Sequence, residues 1–261
     1  MSEEVVRLAE PDAVAQRMAA DLVGLVEALQ ADGRVPRLVL TGGTVVRKVH
    51  AALAGPGVGG GAGAGAGGGA GGGAGPGVDW SRVELWWGDE RFVPADDAER
   101  NAVQAWEDWL QHVPVDPDRV HAMPASDDEY ADADAAAWVY ARDLREAVGP
   151  DPDGTWFDLL MLGIGPDGHC ASLFPGRAEV ESEADVLGVH DSPKPPPTRI
   201  SLGMGTLRRA DRVWFVATGA EKADAVARSV RGTDVSSTPA AGPRGRTATA
   251  WYVDDEAAGR L

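Results

Sequence analysis

The chain has 261 residues, 44% of them hydrophobic, which suffices for one sizeable α/β domain with an ordinary core. Its formal net charge of −17 repels nucleic acid and anionic membranes, and no apolar run is long enough to span a bilayer. The opening MSEEVVRLAE lacks the basic and apolar regions of a secretory signal, and a single cysteine, Cys170, excludes an intrachain disulfide, so a cytoplasmic protein is expected.

Short apolar runs alternate with amphipathic stretches along the chain. Residues 37–41 (RLVLT) read as a buried strand, followed by two glycines and a helix over about 44–53. Residues 55–77 are almost wholly glycine and alanine. They have little side chain to bury and much backbone entropy to lose, so they read as a disordered loop inserted in a surface connection. A second strand covers residues 83–87 (VELWW). Residues 98–110 read as a helix with Val103, Trp106 and Leu110 on one face. Residues 127–148 read as another, acidic at its start and with Arg142 and Arg145 late, as the helix dipole favours. Residues 157–164 (FDLLMLGI) form the strongest strand and read as a central one. Further strands fall at 198–202, 212–217 and 247–253, with a helix from about Glu221. This alternation implies one α/β domain over residues 1–261, a mainly parallel sheet with helices on both faces. Ligands of such sheets gather at the carboxyl ends of the strands.

The unusual residues lie just after strands. Thr41-Gly42-Gly43-Thr44 follows one and opens a helix. The glycines permit close backbone approach, and the helix N-terminus offers unpaired amides and a positive dipole end, which suit a phosphate. A plain turn with a threonine cap is the alternative. The spacing fits neither a Walker loop nor a dinucleotide fingerprint. Trp87-Gly88-Asp89-Glu90-Arg91 also follows a strand; Arg91 suits an anion or a carboxylate, and Asp89 a sugar hydroxyl, unless the segment is a solvated turn. Arg100-Asn101 begins the next helix.

The strongest strand runs into a glycine-rich loop that holds Asp167 and His169 two residues apart. A neutral imidazole oriented by a carboxylate is a natural general base near pH 7. Cys170 is the competing nucleophile, but nothing marks its thiol as activated, and Ser172 lacks a GxSxG elbow. The stretch DSPKPPPTR stiffens the chain around Lys194 and Arg199, and GAEK places Lys222 near a helix start. In so acidic a chain these three cations form a plausible anion clamp. The histidines at 50, 112, 121, 169 and 190 lack metal-ligand spacing, so no metal is expected. The tryptophans read as packing residues rather than nucleic-acid stacking platforms.

Taken in order, LTGGT, WWGDERFVP followed by Asn101, VHAMP, FDLLMLGIGPDGHCASLFPG, DSPKPPPTRISL and TGAEKADAV resemble the 6-phosphogluconolactonase family over about residues 36–253. The wider group includes glucosamine-6-phosphate deaminases. The resemblance implies a Rossmann-like fold and hydrolysis of 6-phospho-D-glucono-1,5-lactone in the oxidative pentose phosphate pathway. It implies that His169 takes a proton from the water that attacks C1, that Asp167 supports His169, and that Arg91 stabilises the oxyanion or binds substrate. Asp89 stands where the related deaminases keep a catalytic acid. Gly42, Gly43, Thr44, Arg199 and Lys222 are expected to hold the phosphate, with Lys194 beside them. No cofactor is implied; the partner is a small phosphorylated sugar lactone, and the protein is expected as a monomer or homodimer. The family usually places proline after the Ser or Thr of the phosphate loop. Here Val45, Val46 and Arg47 follow Thr44, which adds Arg47 and Lys48 as candidates. A deaminase or isomerase of the same fold and a non-catalytic sugar-phosphate sensor are the alternative readings.

Overall fold

The apolar runs at 37–41, 83–87, 157–164, 198–202, 212–217 and 247–253 all become paired strands in the computed structural model, which describes residues 2–55, 77–149, 154–232 and 234–261. In chain order the elements are β1 (Ser2–Leu8), α1 (Pro11–Ala31), β2 (Arg37–Leu40), α2 (Thr44–Leu53), β3 (Glu84–Trp87), β4 (Asp89–Arg91), α3 (Asn101–Asp108) and β5 (Val120–His121). They continue with α4 (Ala133–Val148), β6 (Phe157–Gly163), β7 (Val186–Val189), β8 (Arg199–Leu202), α5 (Met204–Leu207), β9 (Ala210–Ala217), α6 (Ala223–Val230) and β10 (Ala248–Asp254). The glycine- and alanine-rich insertion lies outside the described residues from 56 to 76. Among the described residues no helix is long and apolar enough to cross a membrane.

Seven strands form a parallel sheet in the order β1-β10-β9-β6-β2-β3-β5, with helices around it. Phe157 to Leu162 of β6 are all buried, so this central strand is covered on both faces, as a crossover-connected parallel sheet requires. From β2 the chain builds outward to β3 and β5; from β6 it builds the other way, to β9 and β10. The order therefore reverses between β2 and β6, which pair only at Leu38–Leu159 and Val39–Leu160. A crevice at the carboxyl ends of these two strands is the geometric consequence.

One expectation needs correction. The strand at 198–202 belongs not to the main sheet but to a three-stranded antiparallel sheet, β4-β8-β7. Gly88 is the branch point. Its amide donates to Leu40 O at 2.9 Å, continuing the parallel ladder, and its carbonyl accepts from Leu202 N at 2.9 Å, starting the second sheet. Two helices are also shorter than their apolar periods suggest. The one expected at 127–148 starts at Ala133, because Asp127 and Asp128 bind the loop amides of Ala95 and Ala125 at 2.8 and 2.7 Å. Asp132 then caps the helix through Ala135 N at 2.9 Å. The helix expected at 98–110 runs from Asn101 to Asp108, and Trp106 is 46% exposed while Leu110 is buried.

Candidate active site

The loop after β6 folds back on itself. Gly165 N donates to His169 O and Gly168 N to Gly165 O, both at 2.9 Å. A Cβ on Gly165 would overlap the ring of His169 and Oδ1 of Asp167, so a glycine there is what allows the imidazole to lie over the backbone. His169 Nδ1 stands 2.6 Å from Asp167 Oδ1, and the His169 amide donates to the same oxygen at 3.3 Å. Burial opposes the charge of Asp167, but the hydrogen bonds and charge of His169, with help from Lys194, hold its carboxyl well below the usual range. An ionised Asp167 accepts a hydrogen bond from Nδ1–H of the neutral ring, which leaves the Nε2 lone pair to act as a base; the tautomer follows from this hydrogen bond. Lys194 Nζ approaches the same Nδ1 at 3.5 Å.

The facing wall comes from β4. Strand alternation divides its three charges: Asp89 and Arg91 line the crevice, while Glu90 points into the interior. Glu90 accepts the amides of Arg91, Asn101 and Ala102 at 2.8, 2.7 and 2.9 Å, and so caps α3 from another element. Burial pushes its pKa up against those bonds and against Arg100 at 3.8 Å. Asp89 is 6% exposed, and its Oδ2 accepts Ser172 Oγ–H at 2.7 Å. Ser172 N donates to Ser201 Oγ at 3.2 Å, so the histidine loop is tied to both β4 and β8. Arg91 donates to Glu99 O.

The basic wall comes from three places. Gly43, at φ +120°, ends the turn after β2 and precedes α2, whose first residue is Thr44. Arg199, at the start of β8, is held by the carbonyls of Pro196, Pro195 and Lys194 at 3.1, 2.9 and 3.2 Å. Lys222, past β9, donates to Ile164 O at 2.8 Å. Burial lowers the pKa of both Arg199 and Lys222, and Lys194 adds to the effect on Lys222. Cations strained in this direction gain from an arriving anion.

These walls enclose a cavity of about 540 Å³ at the carboxyl ends of β2, β6 and β9. His169, Arg91, Asp89, Gly42, Gly43, Thr44, Arg199, Lys222 and Lys194 all line it; Asp167 does not, and stands behind His169. Asn101 and Glu221 also line it and were not singled out as site residues. Asn101 Nδ2 donates to Asp89 O at 2.9 Å, and its Oδ1 has no partner among the described residues. Its place at a helix start just after a charged strand end was the available signal. Arg47 and Lys48 are not on the cavity. Arg47 makes a paired contact to Asp108 at 2.6 and 2.8 Å, and Lys48 pairs with Asp12. Cys170 is fully buried, and burial pushes its thiol pKa well up, which removes it as a nucleophile.

A family model described as glucosamine-6-phosphate isomerases/6-phosphogluconolactonase matches residues 9–251. The chain is 45% identical to 6-phosphogluconolactonase of Streptomyces coelicolor over 256 residues, covering 97% of this chain and 92% of that one. Its fold is similar to the crystal structure of 6-phosphogluconolactonase from Thermotoga maritima, with a TM-score of 0.79 and 24% identity over 97% of this chain and 100% of the other. A monomeric glucosamine-6-phosphate deaminase shares the fold as well, with a TM-score of 0.73 and 18% identity, over 99% of this chain and 100% of that one.

Proposed function

The chain belongs to the glucosamine-6-phosphate isomerase/6-phosphogluconolactonase family, and from that premise we propose how its cavity opens a lactone. The reaction is hydrolysis of 6-phospho-D-glucono-1,5-lactone to 6-phospho-D-gluconate, in the pentose phosphate pathway. Because the deaminase shares the fold, fold alone does not choose the chemistry. The observation that carries the reading is a single cavity with cations on one wall and an Asp-supported imidazole on another.

Gly42, Gly43 and Thr44, with Arg199 and Lys222, hold the phosphate at the basic wall. This fixes the sugar so that C1 faces His169. Nε2 of His169 takes a proton from water as the water oxygen bonds to C1. Arg91 stabilises the oxyanion that develops on the carbonyl oxygen. The C1–ring oxygen bond then breaks, the ring oxygen takes the proton from His169, and the new carboxyl ionises to solvent. Asp167 keeps the imidazole in the accepting tautomer, and Asp89, held by Ser172, accepts a sugar hydroxyl. A lactone is an activated ester, so orientation, which can supply roughly 7–11 kcal/mol, and one base suffice. We read residues 1–261 as one domain, acting in the cytoplasm as a monomer or homodimer; the buried lone Cys170 supports the reducing compartment.

Lys222→Ala tests the division of the cavity. It should raise KM for the phosphorylated lactone roughly 10–100-fold, the worth of a charged hydrogen bond, and leave unphosphorylated gluconolactone nearly unaffected. Equal effects on both would remove Lys222 from the phosphate site. Incubation with glucosamine-6-phosphate should release no ammonia.

A further inference from the structure

The two glycines of the turn after β2 are glycine for different reasons. Gly43 has a φ of +120°, which a side chain rarely adopts. Gly42 is not at a positive φ, and what excludes a side chain there is Asn101. A Cβ on Gly42 would overlap Oδ1 and Cγ of Asn101 and come within 3.1 Å of its Nδ2. The face of the carboxamide therefore lies against the backbone of the turn that holds the phosphate. We propose that Asn101 is a positioning residue, whose carboxamide is the spacer that seats this turn against the β4 wall. The proposal deepens the lactonase reading and rests on it.

Asn101 suits the task because it is itself held. It is 2% exposed, and it starts α3, where its amide donates to Glu90 Oε1 at 2.7 Å. Its Nδ2 donates to Asp89 O at 2.9 Å. That bond decides which end of the amide faces β4, since an oxygen there would meet another acceptor. Oδ1 is left beside Gly42, without a partner among the described residues. A buried carbonyl with no donor costs stability, so hydrogen bonding alone does not account for this side chain; its contact with Gly42 does. On the other side of the turn, Gly42 O lies 3.7 Å from where a Cβ of Gly163, at the end of β6, would stand. Gly42 is thus seated between α3 and β6, and Thr44 opens α2 two residues on. A shift of Gly42 carries Gly43 and Thr44 with it. It moves them relative to Asp89, which Asn101 also holds. The phosphate anchors the sugar, so its displacement takes C1 out of line as well.

The test is a double-mutant cycle on Gly42→Ala and Asn101→Ala. It reads KM for the phosphorylated and the unphosphorylated lactone, and the affinity for inorganic phosphate by calorimetry. Gly42→Ala pushes the turn off its seat, and Asn101→Ala removes the seat. Each should raise the ratio of the two KM values roughly tenfold and weaken phosphate binding. In the double variant the new methyl takes the space the carboxamide left, and the ratio should return to within about threefold of native. Losses that simply multiply in the double variant would show that the two residues act independently, and would overturn the proposal. A loss in Asn101→Ala that is equal for both lactones, with phosphate affinity unchanged, would also overturn it, by making Asn101 a sugar contact or a general support of the fold. Should Gly42→Ala alone fail to fold, Asn101→Ala still gives the KM ratio and the phosphate affinity. The lactonase reading fails separately, if the native chain does not open the lactone faster than the spontaneous rate.

Discussion

At the scale of the residue, the site depends on one imidazole lying over one glycine. Gly165→Ala puts a methyl group where the ring of His169 and the carboxylate of Asp167 now sit. The expected result is a fall in kcat of about a hundredfold, the penalty of displacing a reacting group by about 1 Å, with KM little changed. A variant with native kcat would show that the ring is not held where the reaction needs it. The sequence made His169 and Asp167 legible because a base two residues from a carboxylate, in a glycine-rich loop after an apolar strand, is a local pattern. It did not make Ser172 legible as the partner of Asp89, since the two are 83 residues apart and meet only when β4 passes the histidine loop. It pointed to Asp89 and Arg91 rather than Glu90 as ligand contacts, but did not show Glu90 as the buried cap of α3. Strand alternation sends neighbours to opposite sides, but only a known strand reveals which one reaches the cavity.

At the scale of the element, β4 and α3 form one unit joined by Glu90. Its carboxylate accepts three amides, two of them at the start of α3, and lies beside the buried Arg100. Glu90→Ala strands those donors and that charge, and should cost about 3–5 kcal/mol in urea unfolding. A loss below about 1 kcal/mol would mean that α3 is secured by other contacts. Element types were readable from hydrophobic period, while their ends were not. Asp127 and Asp128 look like the acidic first turn of a helix, yet each spends its carboxylate on a loop amide. The small antiparallel sheet was equally hidden, because apolar alternation identifies a strand without naming its partner. No element was named before residue 37, so α1 was missed, although Val14, Met18, Leu22, Val26 and Leu29, all buried in it, carry a helical period.

At the scale of the whole molecule, acid stability draws on a histidine that does not line the cavity. His50 is buried, stacks on Trp109 at 5.6 Å between centroids, and neither ring nitrogen has a partner among the described residues. Burial lowers its pKa from 6.5 to about 4. The unfolded chain therefore binds the extra proton first. Its contribution is fully present above pH 6.5 and is lost as pH falls toward 4, about 3 kcal/mol in all. His50→Phe should flatten the stability slope across that window relative to the native chain; an unchanged slope would assign it to other groups. The sheet order, and with it the crevice between β2 and β6, was inferable only as a class, because strand sequence does not state which neighbour each strand takes. That crevice brings the basic wall to the imidazole, and the whole account turns on their acting together. The most direct measurement is the turnover of His169→Ala, with glucose-6-phosphate dehydrogenase generating the lactone in place and 6-phosphogluconate dehydrogenase reporting the product against an enzyme-free control. The account expects hydrolysis to drop by at least about 10²-fold, toward the spontaneous rate, while 6-phosphogluconate still binds; near-native turnover would contradict it.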